Sequence, residues 1–165
     1  MIDLKFQFDN SHWNMVQNEI HTQRKRISRK LKDAIEETAQ ELVNDITKHI
    51  LMNDLGLDPL APSTIRKKRS TAPSFANKPW VESRTFMDGL TFWWEGYGDK
   101  GKEKTVAVGI PQGLKRIGSK GREIDVNEYM QINEIQRPLM QISMNRFLES
   151  GKPEQILDKY FGDND

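Results

Sequence analysis

Three histidines, His12, His21 and His49, are the first residues in the sequence that could do chemistry. None belongs to a set of ligands at metal-site spacing. Asp45 stands four residues before His49 and could orient its imidazole, but ordinary surface histidine is the preferred reading. Glu36 and Glu37 are adjacent carboxylates. Neighbouring helix positions point to different faces, so they do not form the desolvated, converging pair that general acid–base work needs. Serines 63, 70, 74, 83, 119, 143 and 150 lack the strand–turn–helix context of an activated nucleophile. There is no cysteine, which excludes disulfides and thiolate metal sites. These residues assemble no catalytic constellation. The expectation is a non-enzymatic chain with no metal and no cofactor.

What the sequence does concentrate is charge and aromatic surface. Net charge is only +1, but it is segregated. Arg24, Lys25, Arg26, Arg29, Lys30 and Lys32 form one basic run, and Asp33, Glu36, Glu37, Glu41 and Asp45 follow it. Arg66, Lys67, Lys68 and Arg69 form a second basic cluster, and Lys115, Arg116, Lys120 and Arg122 a third. Such clusters can touch phosphates without reading sequence. They can equally meet acidic surfaces of neighbouring subunits, basic half to acidic half. Protein contact is the preferred reading, with a small nucleic-acid-binding module as the alternative. Residues 78–94, KPWVESRTFMDGLTFWW, hold three of the four tryptophans. Phe92 and Trp94 alternate with Trp93, so aromatics fall on both faces of a strand, which implies cover on both. With 36% hydrophobic and 30% charged residues, the chain has little of its own to cover a second face. Trp80 and Trp93 are therefore the expected partner-binding anchors, together with Arg66, Lys67, Lys68 and Arg69.

The elements that must position these groups follow from periodicity. Met1–Phe8 alternates apolar and polar, as a half-buried strand does. His12–Asn53 contains no glycine or proline. Trp13, Val16, Ile20, Ile27, Leu31, Ala34, Ile35, Thr38 and Leu42 fall on one face of a helix, with Ile46 slightly off it, and Leu31 is read as core. Arg24 interrupts that stripe, predicting a kink, break or solvated gap near residues 21–26. Gly56 is the expected C-terminal cap. Residues 56–79 form a long connection with a short helix started by Ser63 or Thr64 and running to Arg69. Residues 90–94 and 104–110 predict a hairpin, and 111–122 a basic glycine-rich loop. Asp125 and Glu128 suggest a capping box for a helix over 126–133. Two more helices follow over 139–149 and 153–161. The expected fold class is α+β: a mostly antiparallel sheet packed by a long N-terminal helix, with extended loops. It is read as one domain over residues 1–165, with 1–10 a strand or arm and 162–165 a frayed tail. No uncharged run is long enough to span a bilayer and no signal-peptide pattern is seen, so an intracellular soluble protein without membrane contact is expected.

The order of these features resembles the tail-completion or virion-morphogenesis proteins of tailed bacteriophages, small neck subunits that close the tail and join it to the head. Three segments over roughly residues 20–150 carry the resemblance. Pro62 and Thr64, followed by Ile65, Lys67 and Arg69, resemble the family's Pro-x-Thr step into a basic helix. Pro79, Trp80, Ser83 and Phe86 resemble the segment that opens its hairpin, with Trp for Leu, Ser for Thr and Phe for Leu. Arg137, Pro138 and Leu139 resemble its Arg-Pro-Phe step before the last helix. Arg84 departs from the pattern, standing where the family usually has glycine. The resemblance implies a structural virion protein, assembled in the host cytoplasm into a homo-oligomeric ring, commonly a hexamer. It implies tail tube, tail terminator and head connector proteins as partners. Lys115, Arg116, Lys120 and Arg122 would then be the residues facing passing DNA.

Overall fold

The computed structural model describes residues 10–71, 73–78, 84–96, 104–117 and 121–162. The expected strand over 1–8, Trp80, Lys120, the hairpin tip and the end of the tail lie outside the described residues.

A single α-helix, α1 (Asn10–Met52), dominates the chain. It runs unbroken through residues 21–26, against the predicted kink. Arg, Lys and Gln are good helix formers, and Arg24 is exposed. A break was expected only because a buried stripe could not hold a guanidinium, and this part of the stripe is not buried. Thr22 and Gln23 bond back one turn to Asn18 O and Glu19 Oε1. Asn53, which directly follows the helix, takes the left-handed conformation (φ 54°), three residues before the expected cap Gly56, which is also left-handed (φ 66°). The Asn53 N–H donates to His49 O at 2.8 Å, which satisfies an orphan terminal carbonyl.

Only the second half of α1 builds the core. Ala34, Ala39, Leu42, Val43, Ile46 and Ile50 are buried there. Ile46, expected at the margin of the stripe, is wholly buried, whereas Leu31 is 46% exposed. The buried face has turned toward Ala39, Val43 and Ile50. Leu55, Phe86, Leu90, Ile110, Val126, Leu139 and Phe147 complete the cluster.

Helix α2 (Pro62–Thr71) is the short helix expected in the long connection. A 3-10 turn over Pro73–Phe75 and α3 (Arg84–Gly89) were not foreseen. Arg84 begins α3, and its backbone does not adopt the left-handed conformation that glycine would favour. The predicted hairpin forms from β1 (Thr91–Glu95) and β2 (Thr105–Gly109), antiparallel, with Phe92 opposite Val108 and Trp94 opposite Val106. The expected basic loop instead contains β3 (Lys115–Ile117), which pairs with β4 (Glu123–Asp125) as a second two-stranded sheet. Asp125 caps α4 (Val126–Gln136) by accepting from Asn127 N and Glu128 N. Helices α5 (Leu139–Glu149) and α6 (Lys152–Phe161) follow. The class is α+β, a long helix against a small antiparallel sheet with further helices.

The first hairpin and helices α5 and α6 all contact α1. The acidic run is spent here. Glu36 accepts from Trp94 Nε1 at 2.8 Å. Asp45 takes Lys152 at 2.7 Å, and Glu37 takes Lys159 at 2.7 Å and the Tyr160 hydroxyl at 2.9 Å. Glu36, Glu37 and Asp45, three of the five acids expected to meet a neighbour's basic half, are thus occupied by the chain's own hairpin and α6, while Asp33 is exposed.

Hydrogen bonds from Lys159 and Tyr160 hold the Glu37 carboxyl below the usual glutamate range. The same carboxylate raises Lys159 and Tyr160. The stabilisation from Glu37 is therefore present above the ordinary glutamate pKa and is lost as pH falls through the lowered one. The Lys159 and Tyr160 shares persist through neutral pH and disappear as pH rises through their raised values. The α6 amides are expected to lose hydrogen-exchange protection, relative to α5, in acid. Glu37→Gln should weaken that acid dependence. An α6 protection profile that follows α5 throughout would remove the assigned role of Glu37.

Candidate assembly surface

Every residue from Ser11 to Arg29 is exposed, so the first half of α1 forms an arm. At 1.5 Å per residue, residues 10–31 span roughly 30 Å. The sequence placed an apolar stripe here and expected it to be internal. It lies at the surface instead: Trp13 is 53% exposed, Ile20 62% and Ile27 55%, with Val16 and Leu31 nearly as open. Glu19, Ile20, Gln23, Arg24, Ile27 and Ser28 line an open and mainly apolar groove along it. Arg24, Lys25, Arg26 and Arg29 are exposed on the same stretch. Lys30 is turned to α6, donating to Tyr160 O at 2.8 Å, and Lys32 lies 3.6 Å from Glu36.

The second basic cluster is divided by α2. Arg66, Lys67 and Arg69 are exposed, but Lys68 is 5% exposed. Its ammonium donates to Lys78 O at 2.6 Å, closing α2 over the turn that follows it. Lys68 is therefore corrected from a partner-binding residue to an internal tie. The Pro62 end of α2 provides its first turn, a position that suits proline because the missing N–H is not needed there.

Trp93 is half-buried. Its indole N–H donates to Glu95 Oε1 at 3.2 Å. The ring lies over Gly109 of the paired strand, where a Cβ would stand 3.8 Å from it, an ordinary contact distance. Part of Trp93 is thus used by its own hairpin, and the remainder faces solvent. Trp94, on the other face, goes to α1 as the alternation predicted.

In the third cluster Lys115 pairs with Glu123 at 2.9 Å across the second sheet. The Arg116 guanidinium stands 5.0 Å over the Tyr129 ring. Arg122 is exposed. Two of the four residues expected to face DNA therefore have partners within the chain. His49 pairs with Asp54 at 2.7 Å, not with Asp45. Among the described residues no three His, Asp or Glu converge as a metal site, and no helix is long and apolar enough to cross a membrane.

Several structural ties were missed from sequence. Arg137 reaches Asp58 O and Arg146 reaches Asp54 O, fastening the connection after α1 to α4 and α5. Glu134 accepts from Gln141 N at the start of α5, where negative charge suits the helix dipole. The signal for the α1–α6 pairing was available: Lys152 and Lys159 have a spacing close to that of Asp45 and Glu37, in antiparallel order. Against family models, curated proteins and solved structures, the chain has no match.

Proposed function

We propose that this chain is a structural virion protein of the phage neck, completing the tail and joining it to the head connector within an oligomeric ring. It acts through surface contact and not through catalysis. The observation that carries this reading is the arm: a helix with a bare apolar stripe, on a chain whose Glu36, Glu37 and Asp45 are engaged internally. An apolar patch of this extent on a polar chain marks an interaction site. The motif order around Pro62, Pro79 and Arg137 supplies the phage context. Exposed Arg66, Lys67, Arg69 and Arg122 are the polar rim in this reading, and the solvent side of Trp93 is an anchor.

Native mass spectrometry of the chain, alone and mixed with tail-tube, terminator and connector subunits, tests the proposal. Incorporation into a defined assembly is expected. A chain that joins none of them counts against it. Trp93→Ala should reduce that assembly while a cooperative melt persists. Loss of the cooperative melt would assign Trp93 to the core.

A second reading, nucleic-acid binding, draws on exposed Arg24, Lys25, Arg26 and Arg29. A DNA titration at two salt concentrations separates it from the first. Phosphate contacts lose affinity steeply with salt, and absence of binding at low salt removes this reading.

A further inference from the structure

We propose that the arm is a self-docking surface: two copies of this chain pair through Trp13–Leu31, antiparallel, about a twofold axis near residue 22. The contact is isologous. It is therefore distinct from the head-to-tail contacts that close a ring; both readings draw on the exposed arm, and the tests below use this chain alone, so that their failure leaves the neck test with tail and connector subunits standing.

Four observations lead to this occupant. The first is the pattern. Trp13, Val16, Ile20, Arg24, Ile27 and Leu31 map onto themselves when the order is reversed about residue 22, to within one residue. Trp13 then meets Leu31, and Ile20 meets the aliphatic stem of Arg24, whose charged head can remain in water.

The second is periodicity. Val16 and Ile27, and likewise Ile20 and Leu31, are separated by eleven residues. That is close to three full turns of an ordinary helix, so nearly straight helices keep their stripes together along the whole arm.

The third is charge. Residues 24–32 hold Arg24, Lys25, Arg26, Arg29, Lys30 and Lys32 and no acid. Residues 12–20 hold Glu19 and no lysine or arginine. Antiparallel pairing lays exposed Arg24, Lys25, Arg26 and Arg29 of one copy on the half of the other that holds Glu19 and no lysine or arginine. Parallel pairing would stack two basic runs.

The fourth is area. Two such stripes remove on the order of 1,200 Å² from water, which reaches the lower end of the range for specific interfaces. Pairing also supplies the packing that an isolated helix of this length lacks.

The chain contains no cysteine, so introduced cysteines report without background. Gln17 and Ser28 are exposed at the edge of the stripe. In the antiparallel pair, Gln17 of one copy lies beside Ser28 of the other, while each lies about 15 Å along the axis from its own counterpart. Full-length Gln17→Cys and Ser28→Cys chains, mixed, are expected to cross-link with a short bis-maleimide at least tenfold faster than either alone. Light scattering on the unmodified chain at about 100 µM, far above a micromolar dissociation constant, should give twice the chain mass. Ile20→Asp should return it to the monomer with helix content retained, because Ile20 is 62% exposed in the single chain.

A monomer at that concentration overturns the proposal. Equal cross-linking of each variant with itself, the parallel signature, also overturns it. So does a dimer that survives Ile20→Asp; its contact would lie elsewhere, for example at exposed Ile132 and Ile135 on α4. Cross-linking that appears only with added DNA assigns the arm to nucleic acid instead.

Discussion

Phe147→Ala is expected to destabilise the chain by about 3–5 kcal/mol, the range for removing a buried phenylalanine. Phe147 is 2% exposed on α5 and belongs to the cluster formed with Ile46, Ile50 and Leu139. Its loss removes apolar burial and leaves a void between α5 and α1 that two packed helices can only partly close. Lys152 adds to the effect, because its ammonium stands 5.9 Å over the ring while also pairing with Asp45. Urea unfolding followed by circular dichroism measures the change, as a lower midpoint at similar slope. A shift below about 1 kcal/mol, the scale of a surface change, would mean that α5 is not docked as described.

Ile46→Ala and Leu31→Ala form the second test, and their ratio matters more than either value. Ile46 is wholly buried and should cost about 2–5 kcal/mol. Leu31 is 46% exposed and should cost less than about 1 kcal/mol in the isolated chain. The sequence periodicity alone ranks them in the opposite order, with Leu31 in mid-stripe and Ile46 at its edge. Unfolding of both variants, at protein concentrations low enough to hold the chain monomeric, decides between the two rankings. Equal costs would mean that the arm is packed against the body of its own chain.

That reversal shows what the sequence can and cannot express. Helix type along α1 was legible because it depends on local propensity and on the lack of glycine and proline. The hairpin of β1 and β2 was legible because Phe92 and Trp94 alternate against Val106 and Val108. The Asp125 cap was legible because a carboxylate before an apolar helix has one favourable use. Periodicity reports that a face is apolar, but not whose surface covers it. The stripe from Trp13 to Leu31 and the stripe from Leu42 to Ile50 look alike in sequence, yet only the second joins the buried cluster with Leu90, Leu139 and Phe147. The kink expected at Arg24 came from the same assumption and fails with it.

Charge behaved in a related way. A basic or acidic run fixes the sign of a surface, while the identity of its partner depends on tertiary pairing. Lys68 faces inward to a backbone carbonyl between exposed Lys67 and Arg69, because successive helix positions point in different directions. Glu37 and Asp45 meet Lys159 and Lys152 across more than a hundred positions of sequence. The second sheet was hidden by its length: three-residue strands rich in Lys, Arg and Glu carry almost no strand signal.

The role proposed for this chain is that of a joint in an assembled particle. The most direct test is its position in that particle, by electron cryomicroscopy of purified virions with the chain carrying a small fused density tag. Tag density is expected at the junction of head and tail, repeated around the tail axis. Particles that assemble fully and infect normally without the chain, and that carry no tag density at the neck, would contradict that role.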